Sequence, residues 1–297
     1  MQGRRATRFR QSLAGAVFTF VWCVGLGLGL LPARPALAQT QIYSFGVLSQ
    51  RSAVLTAQYW NPILDYVARR SGIMLVLKVA RTAPESNAAT EAGEYDVVYS
   101  NTIFQPSMAA AGYRVILKPR TAAITGQIVT LANSPVDRLD ALAGHEVGFP
   151  SQVAFVGYAV PMDHLLREGI RVEPVFGGNQ EGIMAQLKAG KVMAAGVNSQ
   201  IMRAFATREN VQYRVLWESK PFLNIPVAVH PRVPAETAEA IRRVLAAMAD
   251  EPEGRRLLED GAHLLGQSPP FGFAPSSPAE YSNYSEFYRH TLVKDIK

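Results

Sequence analysis

The sequence predicts an α/β fold in two lobes, each a mostly parallel sheet flanked by helices, with a cleft between the lobes. Three observations carry that reading. β-rich runs alternate with helical runs from residue 41 onward, the alternation restarts near residue 126 as a second unit, and the last stretch reads as helical throughout. Parallel strands need a long crossover, which a helix supplies, so alternating strands and helices point to parallel sheets.

The first unit opens with the strand "QIYSFGVLS". In "LTAQYWNPILDYVARRSG", Leu55, Tyr59, Ile63, Tyr66 and Val67 recur at helical spacing and Gly72 marks the stop. "IMLVLKVA" is a buried strand, "SNAATEAGEY" a short helix and "DVVYS" a third strand. "TIFQPSMAAAG" reads as a helix disturbed by Pro106, and "YRVILKP" as a fourth strand. The second unit runs through "GQIVTLANS", the short helix "DRLDALAG", "HEVGFP", a helix over 154–168, "RVEPVFG", the helix "NQEGIMAQLKAG", "VMAAGVNS", the helix "QIMRAFATRE" and "YRVLWES". The tail offers "ETAEAIRRVLAAMAD", "EPEGRRLLEDG" and "SPAEYSNYSEFYRHTLV", amphipathic helices that need a sheet face to cover. The chain is therefore expected to return to the first lobe, crossing near 120–127 and again near 219–226. The expected division is 39–123 and 223–297 for the first lobe and 124–222 for the second. A cleft lined by strand ends and helix N-termini is a usual place for a small ligand, and two thin connections suit hinge closure.

The start of the chain stands apart. "MQGRRATRFRQ" is a positive region, "SLAGAVFTFVWCVGLGLGLL" an apolar one, and Ala36-Leu37-Ala38 a small-x-small site. Together these read as a cleaved secretory signal over residues 1–38, the alternative being a retained membrane anchor. Five of the 30 Lys and Arg and none of the 24 Asp and Glu lie in that segment, leaving 25 basic against 24 acidic side chains. A near-neutral mature chain removes the electrostatic case for nucleic acid or a membrane surface as partner. Cys23, the single cysteine, falls in the apolar region behind Trp22, which argues against lipidation and leaves no disulfide or thiolate metal site.

Polar residues at the ends of expected strands are the candidate ligand contacts. Ser49, Gln50 and Arg51 follow the first strand, and Arg51 is suited to clamp an oxyanion in bidentate fashion. Tyr99, Ser100 and Asn101 follow the third. In the second unit, Ser151, Gln152 and Phe155 line a helix entrance, Asn179 and Gln180 a second, and Asn198 ends a strand. Ser151 and Asn198 read equally well as helix caps or starts, Asn179 and Gln180 also read as caps, while Tyr59 and Trp60 read as core or cleft wall. Enzymatic chemistry is poorly supported. The five histidines have no paired metal spacing, no nucleophile elbow or phosphate-binding glycine loop is present, and Asp65, Glu85 and Asp163 read as solvated. No catalytic residue, metal or cofactor is expected.

Several phrases, in order, resemble the substrate-binding component of phosphate, phosphite and phosphonate ABC transporters, within the type II periplasmic binding proteins. They are "FGVLSQ", "PILDYVARRSG", "EYDVVYSNTIF", "GGNQEGIMAQLKAGKVMAAGVNSQ", "VLWESKPFLNIPVAVHPRVP", "EPEGRRLL" and the late "YSNYSEFY". The resemblance implies a periplasmic, monomeric protein that captures a small anionic ligand and delivers it to a membrane permease. A sensor input for a histidine kinase is the alternative on the same scaffold, and a periplasmic lyase a further one.

The chain departs from the family where the ligand's oxyanion is gripped. The family's Ser-Thr-Ser-Gly turn falls on Ala154, Phe155, Val156 and Gly157, its His-Glu pair on Gln180-Glu181, and an aspartate on Met193. A hydrogen bond to a charged group contributes about 1.5–3 kcal/mol, so losing several weakens a phosphonate by roughly 2–6 kcal/mol. Backbone donors at the helix start remain, and Phe155 points to a ligand with an apolar or planar part.

Overall fold

The computed structural model describes residues 41–296, so the expected signal segment lies outside the described residues. The first sheet is laid down by β1 (Gln41–Val47), β2 (Ile73–Val79), β3 (Val97–Tyr99) and β4 (Arg114–Pro119), with α1 (Ala53–Ser71) and α2 (Ala83–Glu91) between them. The helix expected after β3 is two 3₁₀ turns, Thr102–Phe104 and Pro106–Ala111, because Pro106 lacks the N–H a continuous helix needs. The second sheet follows as β5 (Gly126–Leu131), β6 (Glu146–Phe149), β7 (Glu173–Phe176), β8 (Ala195–Asn198) and β9 (Tyr213–Glu218), with α3 (Val160–Arg167), α4 (Gln180–Lys188) and α5 (Ser199–Glu209). The chain then returns through β10 (Val227–Val229), α6 (Ala235–Ala247), α7 (Pro252–Leu265), β11 (Phe273–Pro275) and α8 (Ser282–His290). The tail is thus not purely helical: β11 pairs antiparallel with β4 as an edge strand.

Strand order is β11-β4-β10-β3-β1-β2 in the first sheet and β7-β6-β8-β5-β9 in the second. β1 to β4 share one direction, as do β6 to β9, while β10, β11 and β5 oppose them. Both sheets are therefore mixed in pairing, though mostly parallel in direction. The inserted strand has one cause in each sheet. β5 and β10 arrive from the other lobe through the cleft, enter their sheet at the end where its other strands finish, and so run backwards.

In the first lobe, α1 buries Trp60, Ile63, Leu64, Tyr66 and Val67 against Phe45 and Leu75 of the sheet and Ile241 and Leu245 of α6. Each such side chain contributes about 1.5–3 kcal/mol of transfer free energy. Ser52 caps the start of α1, and Gly72 ends it in the left-handed conformation, as the sequence indicates. In the second lobe one face of the sheet packs Ile183, Met184, Val197 and Ile201, and the other Ile128, Val147, Phe149 and Leu165.

The crossing segments are tied to each other. Ile124 and Phe222 exchange two backbone hydrogen bonds, each 2.8 Å. A third crossing was not legible in the sequence. In α8 and the turn before it, Tyr284 and Tyr281 donate to the carbonyls of Leu223 and Asn224 beside the second crossing. Residues 290–296 then run onto the second lobe, where Asp163 accepts from the Leu292 N–H (2.7 Å), the Thr291 hydroxyl (2.9 Å) and Arg167 (2.7 Å). Asp163, read as solvated, is in fact 8 % exposed. Burial pushes its carboxyl upward, but these three donors outweigh burial and hold it below the usual carboxylate range.

Candidate functional site

The C-terminal ends of β1, β3, β6 and β8 meet between the lobes, and two adjoining chambers lie there. The inner one has a volume of about 20 Å³ and the outer about 190 Å³, and Gln50 and Asn198 line both. The lobes touch over the inner chamber. The Glu181 N–H donates to the Gln50 carbonyl and the Ala83 N–H to the Gly178 carbonyl, both at 3.2 Å across the cleft. Leu48, Ala83, Val153 and Ile225 form a small apolar contact beside them.

The wall of the inner chamber on the second lobe is a single wide turn, a π-helical stretch over Phe155–Ala159 that leads into α3. Pro161 explains it. An α-helix would need an N–H at 161 to bond the Gly157 carbonyl, and proline has none, so the turn widens to five residues. Gly157 is needed for close approach, since a methyl there would run into Gln180 Nε2 and Pro150. The N–H groups of Phe155, Val156 and Gly157 precede the first internal bonds, from the Tyr158 (3.1 Å) and Ala159 (3.0 Å) N–H groups to the Ala154 carbonyl, and no side chain caps them. They are donors at the positive end of a helix.

The other two helix entries at the cleft are closed. Asn179 Oδ1 accepts from Gly182 N at 2.8 Å, capping α4. Asn198 Oδ1 accepts from Gln200 N (2.9 Å) and Ile201 N (3.3 Å), capping α5. Both line the inner chamber, but with their amide oxygens committed to the backbone. Gln180, 4 % exposed, accepts from Asn198 N at 3.1 Å and braces Asn198. Glu181 beside it is ion-paired to Arg208 at 2.8 Å.

Two hydroxyls on the first lobe also face inward to the protein. Ser49 Oγ donates to the Ala80 carbonyl at 2.8 Å, and Ser100 Oγ lies 2.8 Å from Thr102 Oγ1 and accepts from the Thr102 N–H. Ser49 still borders the inner chamber, whereas Ser100 and the half-buried Gln152 border neither chamber. Asn101 Oδ1 and Ser151 Oγ differ. The two residues are 3 % and 2 % exposed, come from opposite lobes, and line the same inner chamber with no hydrogen-bond partner on those atoms. An unsatisfied buried polar atom costs about 1–3 kcal/mol.

Two residues sit differently from the sequence reading. The Phe155 ring has a packing role that the sequence did not indicate. It stacks on Tyr284 (centroids 4.2 Å apart) and meets Phe222, Phe287 and Tyr288 at 4.8–5.4 Å, locking the wide turn to α8 and the crossing segment. Phe155 still borders the inner chamber, with its ring committed to these aromatic contacts. Met193, the aligned place of the family aspartate, precedes β8 at the end away from the cleft, so the cleft position on that strand is Asn198.

Arg51 and Tyr99 form the wall of the outer chamber on the first lobe. Burial is the main influence on the Arg51 guanidinium and lowers it from its ordinary value, opposed by Tyr99, Glu181 and Tyr59. Burial also pushes the Tyr59 hydroxyl up to about 12, with Arg51 opposing. Sequence reasoning missed the rest of this chamber: Thr121 and Asn224 from the crossing segments, Gln200 and Arg203 from α5, and Gln267 after α7. Gln200 and Arg203 carry a usable signal, because they share one helix face just past Asn198. Gln267 carries none, since it is brought in by the returning tail. Among the described residues, no group of His, Cys, Asp or Glu is arranged to hold a metal ion, and no helix is long and apolar enough to cross a membrane.

A family described as the periplasmic substrate-binding protein of phosphonate ABC transporters matches residues 45–281. The chain belongs to that family. Its members are periplasmic binding proteins of transporters. No curated protein matches the chain. Among solved structures, it is similar to a binding protein component of an ABC phosphonate transporter from Pseudomonas aeruginosa, with TM-score 0.72, 15 % identity, and 84 % of this chain and 86 % of that one covered. It is also similar to PhnD1 from Prochlorococcus marinus in complex with methylphosphonate (TM-score 0.71, 11 % identity, 84 % and 98 % covered). A third likeness is to the periplasmic aliphatic sulphonate binding protein SsuA from Escherichia coli (TM-score 0.56, 15 % identity, 84 % and 86 % covered). These likenesses establish the two-lobed fold of type II periplasmic binding proteins.

Proposed function

We propose that this protein captures a small organic anion between its lobes and delivers it to an ABC permease. The observation that carries the reading is the pair of unpartnered buried atoms, Asn101 Oδ1 and Ser151 Oγ, brought from opposite lobes to one chamber. A ligand that satisfies both holds the lobes together, and without it each lobe keeps an unmet polar group at the cleft. Free N–H groups at Phe155–Gly157 and the guanidinium of Arg51 favour negative charge, and family membership supplies the permease. The ligands printed for two structural relatives, methylphosphonate and aliphatic sulphonates, are small oxyanions on a carbon frame and support the class. The first lobe, 41–123 with 223–289, and the second, 124–222 with the tail 290–296 packed on it, hinge about the crossing segments paired at Ile124 and Phe222.

Native mass spectrometry of the protein taken from the periplasm is the test. The expected species lacks residues 1–38 and releases one small anion on denaturation, and adding that anion back to stripped protein reduces the radius of gyration. A protein that retains residues 1–38 in the membrane, or whose radius is unchanged at saturating ligand, contradicts the reading.

A further inference from the structure

The inner chamber is too small for the family's ligand group. A water molecule needs roughly 10–15 Å³ of such volume, so about 20 Å³ admits a group of one heavy atom and not a tetrahedral phosphonate. The outer chamber is almost ten times larger. Arg51, half-buried, lines its wall, and Arg203 lines its exposed rim. Among the described residues neither guanidinium has an ion-pair partner. The one acid that acts on Arg51, Glu181, is held by Arg208. No Asp or Glu lines either chamber.

We infer that the ligand is a short hydroxylated organic acid whose oxyanion sits in the outer chamber on Arg51 and Arg203, with its hydroxyl reaching the inner chamber. This rests on the cleft being the ligand site, as proposed above. Two arginines without ion-pair partners that line one polar cavity match an oxyanion in charge, and the guanidinium fork matches it in geometry. The inner end must be small, must donate to Asn101 Oδ1, and must accept from backbone N–H groups. A hydroxyl does both. An ammonium meets the first requirement but is disfavoured beside the positive end of a helix. The lost hydroxyls at Ala154, Phe155 and Val156 then have an explanation: the oxyanion grip lies in the outer chamber, on arginine side chains.

The test is calorimetry with hydroxymethylphosphonate, 2-hydroxyethanesulfonate and glycolate as probes, each against its analogue without the hydroxyl. Wild-type protein, Arg51→Gln, Arg203→Gln and the surface control Arg243→Gln are compared, with thermal unfolding to confirm that each variant folds. At least one hydroxylated probe is expected to bind the wild type. Arg51→Gln is expected to weaken it about tenfold or more, Arg203→Gln less because it is at the rim, and Arg243→Gln not at all. The analogue without the hydroxyl is expected to bind several-fold more weakly. Binding that survives both cleft substitutions overturns the inference while leaving the transport reading intact. Failure of all three probes to bind at millimolar concentration also overturns it, and the ligand released in native mass spectrometry then judges the transport reading separately.

Discussion

The two walls of the cleft carry similar polar residues and use them differently. On the first lobe, Ser49 satisfies the Ala80 carbonyl after β2 and Ser100 a group of its own loop, and the groups left over are Asn101 Oδ1 and the Arg51 guanidinium. On the second, Asn179 and Asn198 close two helix entries, and the groups left over are Ser151 Oγ and the N–H groups of the third entry. A polar residue at a strand end is thus either a structural brace or a ligand contact, and its hydrogen-bond partners decide which. Substituting a brace should cost stability, whereas substituting a leftover group should cost binding alone.

Phe155→Ala sharpens the comparison most. Emptying a ring packed among Tyr284, Phe222 and Phe287 is expected to cost about 3–5 kcal/mol in denaturant unfolding. If stability were kept and only ligand affinity fell, the ring would belong to the site after all.

Asp163→Asn is expected to cost about 1.5–3 kcal/mol, the scale of hydrogen bonds to a charged group. It should also speed amide exchange over residues 290–296, which Asp163 ties to the second lobe. Its pH dependence follows from the lowered carboxyl. The folded carboxyl titrates below its unfolded value, so its contribution is complete above about pH 4 and is lost as pH falls through the folded value. Protection of the 290–296 amides, corrected for the intrinsic pH dependence of exchange, should therefore fall in acid in the wild type, and not in the Asn variant.

Asn198→Ala removes the cap of α5 and is expected to cost about 1 kcal/mol. Ser151→Ala should do the opposite. Deleting an unpartnered buried hydroxyl leaves stability unchanged or slightly raised, while ligand affinity falls. Equal losses of stability in these two variants would break the division between braces and contacts.

The α/β alternation made most of the fold legible, because strands and helices differ in apolar period. Strand direction was not legible: nothing in "GQIVTL" or "VAV" distinguishes β5 and β10 from their parallel neighbours, since direction is set by where the chain enters the sheet. The helix expected at 102–112 failed at Pro106, a local conflict the sequence displayed. At the site, Arg51, Asn101, Ser151 and Asn198 stood out because each lies within three residues of the end of an apolar run. The packing role of Phe155 was not legible because its partners, Tyr284 and Phe287, lie more than a hundred residues away. Arg203 and Gln267 went unseen because only the folded chain brings α5 and the tail to the outer chamber.

The central claim is that the unpartnered groups at the cleft form the binding set, with the oxyanion outermost. A crystal structure of the protein with hydroxymethylphosphonate tests it most directly. The account predicts the phosphonate oxygens against Arg51 and Arg203 and the hydroxyl within hydrogen-bond distance of Asn101 Oδ1. A phosphonate seated instead on the N–H groups of Phe155, Val156 and Gly157, with both arginines in solvent, would contradict it.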